Sequence, residues 1–237
     1  MKIHPGLLFA GALLLGAPLP AEVATSNPAI KAAPRNDWIV RHEGFVAQAK
    51  AGNIELLFIG DSITDGWRVH GKTIWDQQYA PLKAANFGIG GDRTEHVLWR
   101  LQNGELEGIS PKVAVVMIGT NNTGRDTAPQ IADGVAAILN EIRSKTPATK
   151  ILLLAVFPRA EKPDAPSRIK IGEINQIIAR LDDGKNIFYL DIGKSFLQPD
   201  GILSPSVMPD FLHPNPEGYR IWTEAMGPKL ADLLGMK

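Results

Sequence analysis

The chain has 237 residues, 44% of them hydrophobic, and a formal net charge of +0 at pH 7. That size and apolar content suit one globular domain with a sizeable core, and the absence of any basic or acidic excess gives no reason to expect a nucleic-acid or anionic-membrane partner. No cysteine is present, which excludes disulfides and cysteine-ligated metals.

The first stretch, "MKIHPGLLFAGALLLGAPLPAEVATS", has Lys2 in front of an apolar run from Leu7 to Leu15, followed by small residues and prolines. This pattern predicts a secretory signal peptide over residues 1–21, cleaved near Ala21 or Ala24. Spanning a bilayer takes roughly 20 apolar residues, and this run is shorter and interrupted by Gly and Pro. The expectation is therefore a secreted or periplasmic bacterial protein, without stable membrane insertion after cleavage. Residues 22–36 are small, polar and Pro-containing and predict a loose arm, leaving residues 37–237 as the domain.

From there the chain alternates. Apolar runs of strand length stand at 54–60, 84–90, 113–119, 150–158 and 186–192. Helical periodicity fills the spaces between, most clearly at 128–145, where Ile131, Val135, Ile138, Leu139 and Ile142 share a face. Residues 168–183 and 217–235 behave similarly, with Gly227-Pro228 as a possible kink. Strands that are apolar on both faces and alternate with amphipathic helices predict a parallel five-stranded sheet in a three-layer α/β/α domain. Such folds bind ligands beyond the carboxyl ends of the strands. Three runs end there in polar or Gly-rich turns: Gly60-Asp61-Ser62, Gly88-Ile89-Gly90-Gly91-Asp92 and Gly119-Thr120-Asn121-Asn122.

Each turn has an ordinary explanation. Asp61 or Ser62 can simply cap a helix, "GIGGD" can be a tight turn and "GTNN" another cap. Each also has a chemical one. Ser62 at a strand-to-helix turn can project its hydroxyl into a crevice, a Gly91 N–H is unobstructed by any side chain, and the Asn121 amide can donate a hydrogen bond. In "PDFLHPN", Asp210 and His213 lie three residues apart before a proline. The carboxylate can take the Nδ1 proton there and leave Nε2 to accept one from a serine.

In order, "GDSIT", "NFGIGGD", "IGTNN" and "DFLH" resemble the four signature blocks of the SGNH (GDSL) hydrolase superfamily. The run "ANFGIGGDRTEHVLWRLQNGELEGISPKVAVVMIGTNN" is further similar to the catalytic subunits of intracellular, type Ib platelet-activating-factor acetylhydrolase. The resemblance implies a flavodoxin-like SGNH fold and a Ser62–His213–Asp210 triad. It implies an oxyanion hole from Ser62, Gly91 and Asn121, a preference for acetyl esters, no metal or cofactor, and pairing of subunits as a homodimer. Ile63, Asp92, Arg93, Thr120 and Leu212 are the expected substrate contacts, although Ile63–Thr73, Arg93 and Glu95 depart from the relatives. Those intracellular subunits have no secretory leader, whereas the first residues here lead one to expect it.

The activity expected is that of a secreted serine esterase removing O-acetyl groups from carbohydrates, with Trp67, Trp75 and Trp99 as either stacking or core residues. The alternative is an acetylhydrolase of phospholipid-like or aryl esters. A non-catalytic glycan-binding module is the minor alternative.

Overall fold

The computed structural model describes Met1 and residues 27–236. The predicted leader and its cleavage site at 21–24 lie outside the described residues.

Five strands form one sheet: β1 (Leu56–Gly60), β2 (Ala84–Gly88), β3 (Val113–Met117), β4 (Lys150–Leu154) and β5 (Ile187–Leu190). All neighbours pair in parallel, in the order β2-β1-β3-β4-β5. Parallel pairing requires crossovers, and the helices, including one before β1 and one after β5, cover both faces. They are α1 (Ile39–Ala51), α2 (Ser62–Asp65), α3 (Lys72–Ile74), α4 (Thr94–Arg100), α5 (Ala128–Lys145), α6 (Pro166–Ile178) and α7 (Pro216–Leu234).

The strand residues alternate strictly between two cores. Leu57, Ile59, Phe87, Val116 and Leu153 pack with α1, α4, α5 and α6 on one side. Leu56, Phe58, Val115, Met117 and Leu154 pack with α7 and Trp67 on the other. A period-2 strand buried on both faces must be apolar throughout, which is why these runs show no polar alternation. The helix over 128–145 forms with those bounds, Thr127 and Gln130 closing a capping box at its start. Pro228 lies inside α7, which runs unbroken from Pro216 to Leu234; the possible break at Gly227-Pro228 does not occur.

Residues 27–36, expected as a loose arm, are docked onto the domain. Ala29 is fully buried, and Thr94 Oγ1 donates to its carbonyl at 2.8 Å. Asn27 donates to the Gln130 carbonyl and to Asp133. Trp67 and Trp222 are sealed in the core, each ring among other aromatics. Trp67 therefore supplies no stacking surface, and Trp75 and Trp99 pack against the two cores.

The chain leaves β1 to build β2 on one side, then returns to build β3 on the other. The connections that leave the carboxyl ends of β1 and β3 consequently run apart from this switch point, where folds of this kind hold their crevice.

Candidate active site

Ser62 begins α2 immediately after β1, and Gly60 makes that exit possible. A Cβ at Gly60 would lie 2.1 Å from Thr64 Oγ1 and 2.4 Å from the Met117 carbonyl, so no larger residue fits this turn. Asp61 caps α2, its Oδ1 accepting the Ile63 N–H at 3.0 Å. With the cap supplied by Asp61, the Ser62 hydroxyl is left for another partner. The two readings of "GDS" describe adjacent residues.

That partner is His213, whose Nε2 is 2.8 Å from Ser62 Oγ. On the far side of the ring, Nδ1 is 2.6 Å from Asp210 Oδ2. The other Asp210 oxygen accepts the N–H groups of Leu212 (3.1 Å) and His213 (2.7 Å). The carboxylate thus folds its own turn before it meets the imidazole. Partial burial raises the Asp210 pKa, but the His213 N–H and ring outweigh it, and the group stays below the usual carboxylate value. Asn215 closes the loop by capping α7, its Oδ1 accepting the Gly218 N–H. Serine, imidazole and carboxylate stand in one line, with geometry for moving a proton from the hydroxyl to Nε2 while Nδ1–H is held.

The loop after β2 brings Gly91 to the same crevice. Its φ of +77° lies in the left-handed region that glycine enters without steric cost. Neither the Ser62 nor the Gly91 N–H donates a hydrogen bond among the described residues. Asn121, in the turn after β3, donates from Nδ2 to the Asp92 carbonyl at 2.8 Å. A primary amide has two N–H bonds; this contact fixes the plane of the group and leaves the second hydrogen free to donate. The neighbouring Asn122 is buried, and its Oδ1 accepts the Thr94 N–H of α4. In "GTNN", one asparagine ties down the Gly91–Asp92 loop and the other caps a helix.

Several expected substrate contacts are elsewhere. The Ile63 side chain is buried in the α7-side core, with its carbonyl accepting the Tyr219 hydroxyl at 2.6 Å, so it does not line the crevice. Asp92 is fully buried and faces inward, accepting from Trp38 Nε1 (2.9 Å), Arg35 (3.1 Å) and Arg100 Nε (2.9 Å). It supports the Gly91 loop from behind. Arg93 donates to the Asn121 carbonyl, Thr120 is buried beneath Arg159, and half-buried Leu212 packs on the α7-side core.

Sequence reading missed the buried group behind the loop. Arg100, wholly enclosed, bridges Asp92 to Glu105, which in turn meets His42 Nδ1 at 2.9 Å. Arg100 and Glu105 inside the largely apolar stretch "HVLWRLQNGEL" were the available signal, since buried charges require partners. Arg35 also went unnoticed. From the docked segment it donates to the Gly90 carbonyl (3.0 Å) and Asp92, with its guanidinium 3.1 Å from where a Gly91 Cβ would stand. Burial, helped by nearby Asp92, pushes the Asp61 carboxyl up to about 7, and burial raises Asp92 to about 6 against its two arginines.

A cleft of about 470 Å³ opens beside Ser62 and His213, bordered by Arg41, Asp65, Arg68 and His70. Arg41 and Arg68 both clasp Asp65, so that carboxylate already engages the two guanidinium groups.

A parallel α/β/α sandwich with serine, glycine, asparagine and an Asp-x-x-His turn at the carboxyl ends of its strands defines an SGNH hydrolase. The chain belongs to the GDSL-like lipase/acylhydrolase family, whose pattern it matches over residues 58–221. Human platelet-activating factor acetylhydrolase IB subunit alpha1 is 40% identical over 215 residues, covering 88% of this chain and 91% of that protein. The rat alpha2 subunit is 44% identical over 183 residues, covering 77% and 78%. Among solved structures, an acetylxylan esterase from Geobacillus stearothermophilus superposes with a TM-score of 0.61 at 19% identity, covering 79% of this chain and 97% of that one; at that identity the likeness is one of fold. These matches overturn one expectation. The similar proteins are subunits of the type Ib acetylhydrolase, the intracellular class, and secretion or a periplasmic location is not supported.

Proposed function

We propose that this member of an esterase and acylhydrolase family is a serine esterase that removes acetyl groups from a small alcohol. One observation carries the reading: the unbroken line from Ser62 Oγ through His213 to Asp210, with contacts of 2.8 and 2.6 Å. Ser62 attacks the ester carbonyl while His213 Nε2 takes its proton, and Asp210 holds the ring in the required tautomer. The N–H groups of Ser62 and Gly91 and the free Asn121 amide hydrogen stabilise the oxyanion. Removing one such donor typically costs about 10²–10³ in rate. The imidazolium then protonates the leaving alcohol, and water activated by the same nitrogen releases acetate.

Acetyl preference is supported by the acetylhydrolase relatives. The carbohydrate reading loses its stacking tryptophan, because Trp67 is buried. The phospholipid-like alcohol gains from the names of those relatives. Acetate release from acetylated xylan, acetylated sialic acid, acetylated peptidoglycan and short acetyl phospholipid analogues, with Ser62→Ala as control, tests both. Release from the phospholipid analogue alone selects that alcohol, release from the glycans selects carbohydrate, and no Ser62-dependent release from any ester refutes the esterase.

A further inference from the structure

A second cavity of about 470 Å³ lies at the turn after β3, lined by Thr120, Asn121, Thr123, Arg159, Ser167 and Lys170. Asn121 joins it to the Gly91 loop, since its Nδ2 donates to the Asp92 carbonyl. The lining includes two cations and no carboxylate. Arg159 donates from Nη1 to the carbonyl and hydroxyl of Thr120. Lys170 donates from Nζ to the carbonyls of Thr123 (2.7 Å) and Asp126 (3.1 Å). Among the described residues, neither forms an ion pair.

The charges around them do not cancel the excess. Arg125 is paired with Glu95 and Asp126, and Arg93 lies 4.0 Å from Glu95. Those two arginines and two acids are neutral as a group, so Arg159 and Lys170 remain as two uncompensated positive charges. Arg159 also acts on the Asp61 carboxyl, which burial pushes up to about 7, so near neutrality that group carries about half a charge against the two cations. The contrast with the first cleft is informative, since there Arg41 and Arg68 already share Asp65. Half-buried cations held only by neutral carbonyl and hydroxyl oxygens have lost part of their hydration without gaining a counter-ion. An anion entering the cavity would supply one through charge-assisted hydrogen bonds. The Ser167 hydroxyl at the rim adds a neutral donor.

We propose that this cavity binds a phosphate or carboxylate carried by the substrate, so that the preferred acetyl esters are anionic. The proposal rests on the esterase reading for its kinetic form, because the anion is selected as part of a molecule whose acetyl group reaches Ser62. Arg159 and Lys170 act as binding residues, and Asn121 lies between the anion and the reacting carbonyl.

The test compares matched acetyl esters at constant ionic strength: acetylglycerol against acetylglycerol phosphate, and an acetylated methyl glucoside against the corresponding uronate. Wild-type protein is expected to favour the charged member of at least one pair by about tenfold in kcat/KM, the size of one partly exposed charge-assisted contact. Lys170→Gln should bring that ratio close to one, while Lys170→Arg should retain it. The pair that responds tells phosphate from carboxylate. Should a substitution fail to fold, calorimetric titration of wild-type protein with inorganic phosphate and with acetylated uronate supplies an independent readout. A ratio of one in both pairs, with the neutral esters turned over normally, overturns the anion site and leaves the esterase intact. If no ester is hydrolysed, the esterase reading fails. The cavity is then judged by the titration, where binding lost in Lys170→Gln supports it and absence of binding refutes it.

Discussion

Two acid–base groups flank Ser62, and they are built on opposite principles. In the Asp210–His213 turn the side chains are 55% and 40% exposed, held by two backbone N–H groups and one short loop. Behind the Gly91 loop, Asp92, Arg100 and Glu105 are wholly enclosed, and each carboxylate meets the same guanidinium. An imidazole that must gain and lose a proton needs water and room nearby. A loop that must hold a hydrogen-bond donor still needs partners that cannot leave. Exposure suits the first role and burial the second. The comparison yields predictions that differ in kind on the two sides.

The exposed side should affect rate and leave stability nearly untouched. Ser62→Ala and His213→Ala are each expected to lower p-nitrophenyl acetate turnover by about 10⁴ or more, with Asp210→Asn losing less. Their denaturant midpoints should stay near wild type, because none of these side chains fills the core. A His213→Ala variant that keeps wild-type turnover would reject the base assignment.

The buried side should show the reverse. Arg100→Met leaves Glu105 buried without its guanidinium and Asp92 with Arg35 alone. Breaking a buried pair in this way typically costs about 3–5 kcal/mol, read as a fall in urea midpoint at constant m. Replacing all three charges with apolar residues of matching volume should recover much of that loss, which distinguishes an unpaired charge from lost packing.

Asp61 sits between the two groups and sharpens the comparison through pH. Burial raises its folded pKa to about 7 from the ordinary 3.8 of an aspartate, so the folded state binds more protons than the unfolded state between those values. Stability contributed by the protonated group is complete below about pH 4 and is lost as pH rises through 7. From pH 5 to pH 8 this amounts to a decline on the order of 2–3 kcal/mol. Asp92 acts in the same direction. Asp61→Asn should flatten the decline, and an unchanged slope in the variant would assign the effect to Asp92 alone.

The smallest effect is expected at Arg35, which braces Asp92 and the Gly90 carbonyl from outside. Arg35→Ala removes the contact to the Gly90 carbonyl and should lower kcat by about tenfold with little change in KM, the loss of one supporting charged hydrogen bond. Arg35→Lys should restore part of the rate. Equal losses in kcat for an ester and in thermal stability would make the contact merely structural.

What could be read from the chain follows the same division. Strands buried on both faces announce themselves as continuous apolar runs, and Ile131 to Ile142 announce α5, because both signals are local. Asp210 and His213 were legible because a turn only a few residues long sets their spacing, and Ser62 because it closely follows an apolar run of strand length. Arg35 and Glu105 were not. Each acts on Asp92 or Arg100 through contacts that no local period encodes, and each reads alone as a solvated surface charge. The docking of residues 27–36 was missed because small and polar residues there hide one fully buried alanine, Ala29. Ile63 was misassigned because its position beside the serine suggested the crevice. The first turn of α2 instead directs it toward Tyr219 and the core.

The central claim is that His213 activates Ser62 as a nucleophile. Treatment with a fluorophosphonate followed by peptide mass mapping tests it directly. One adduct on the peptide containing Ser62 is expected, strongly slowed in His213→Ala and absent in Ser62→Ala. No adduct on wild-type protein, or equal labelling of the Ser62→Ala variant, would contradict it.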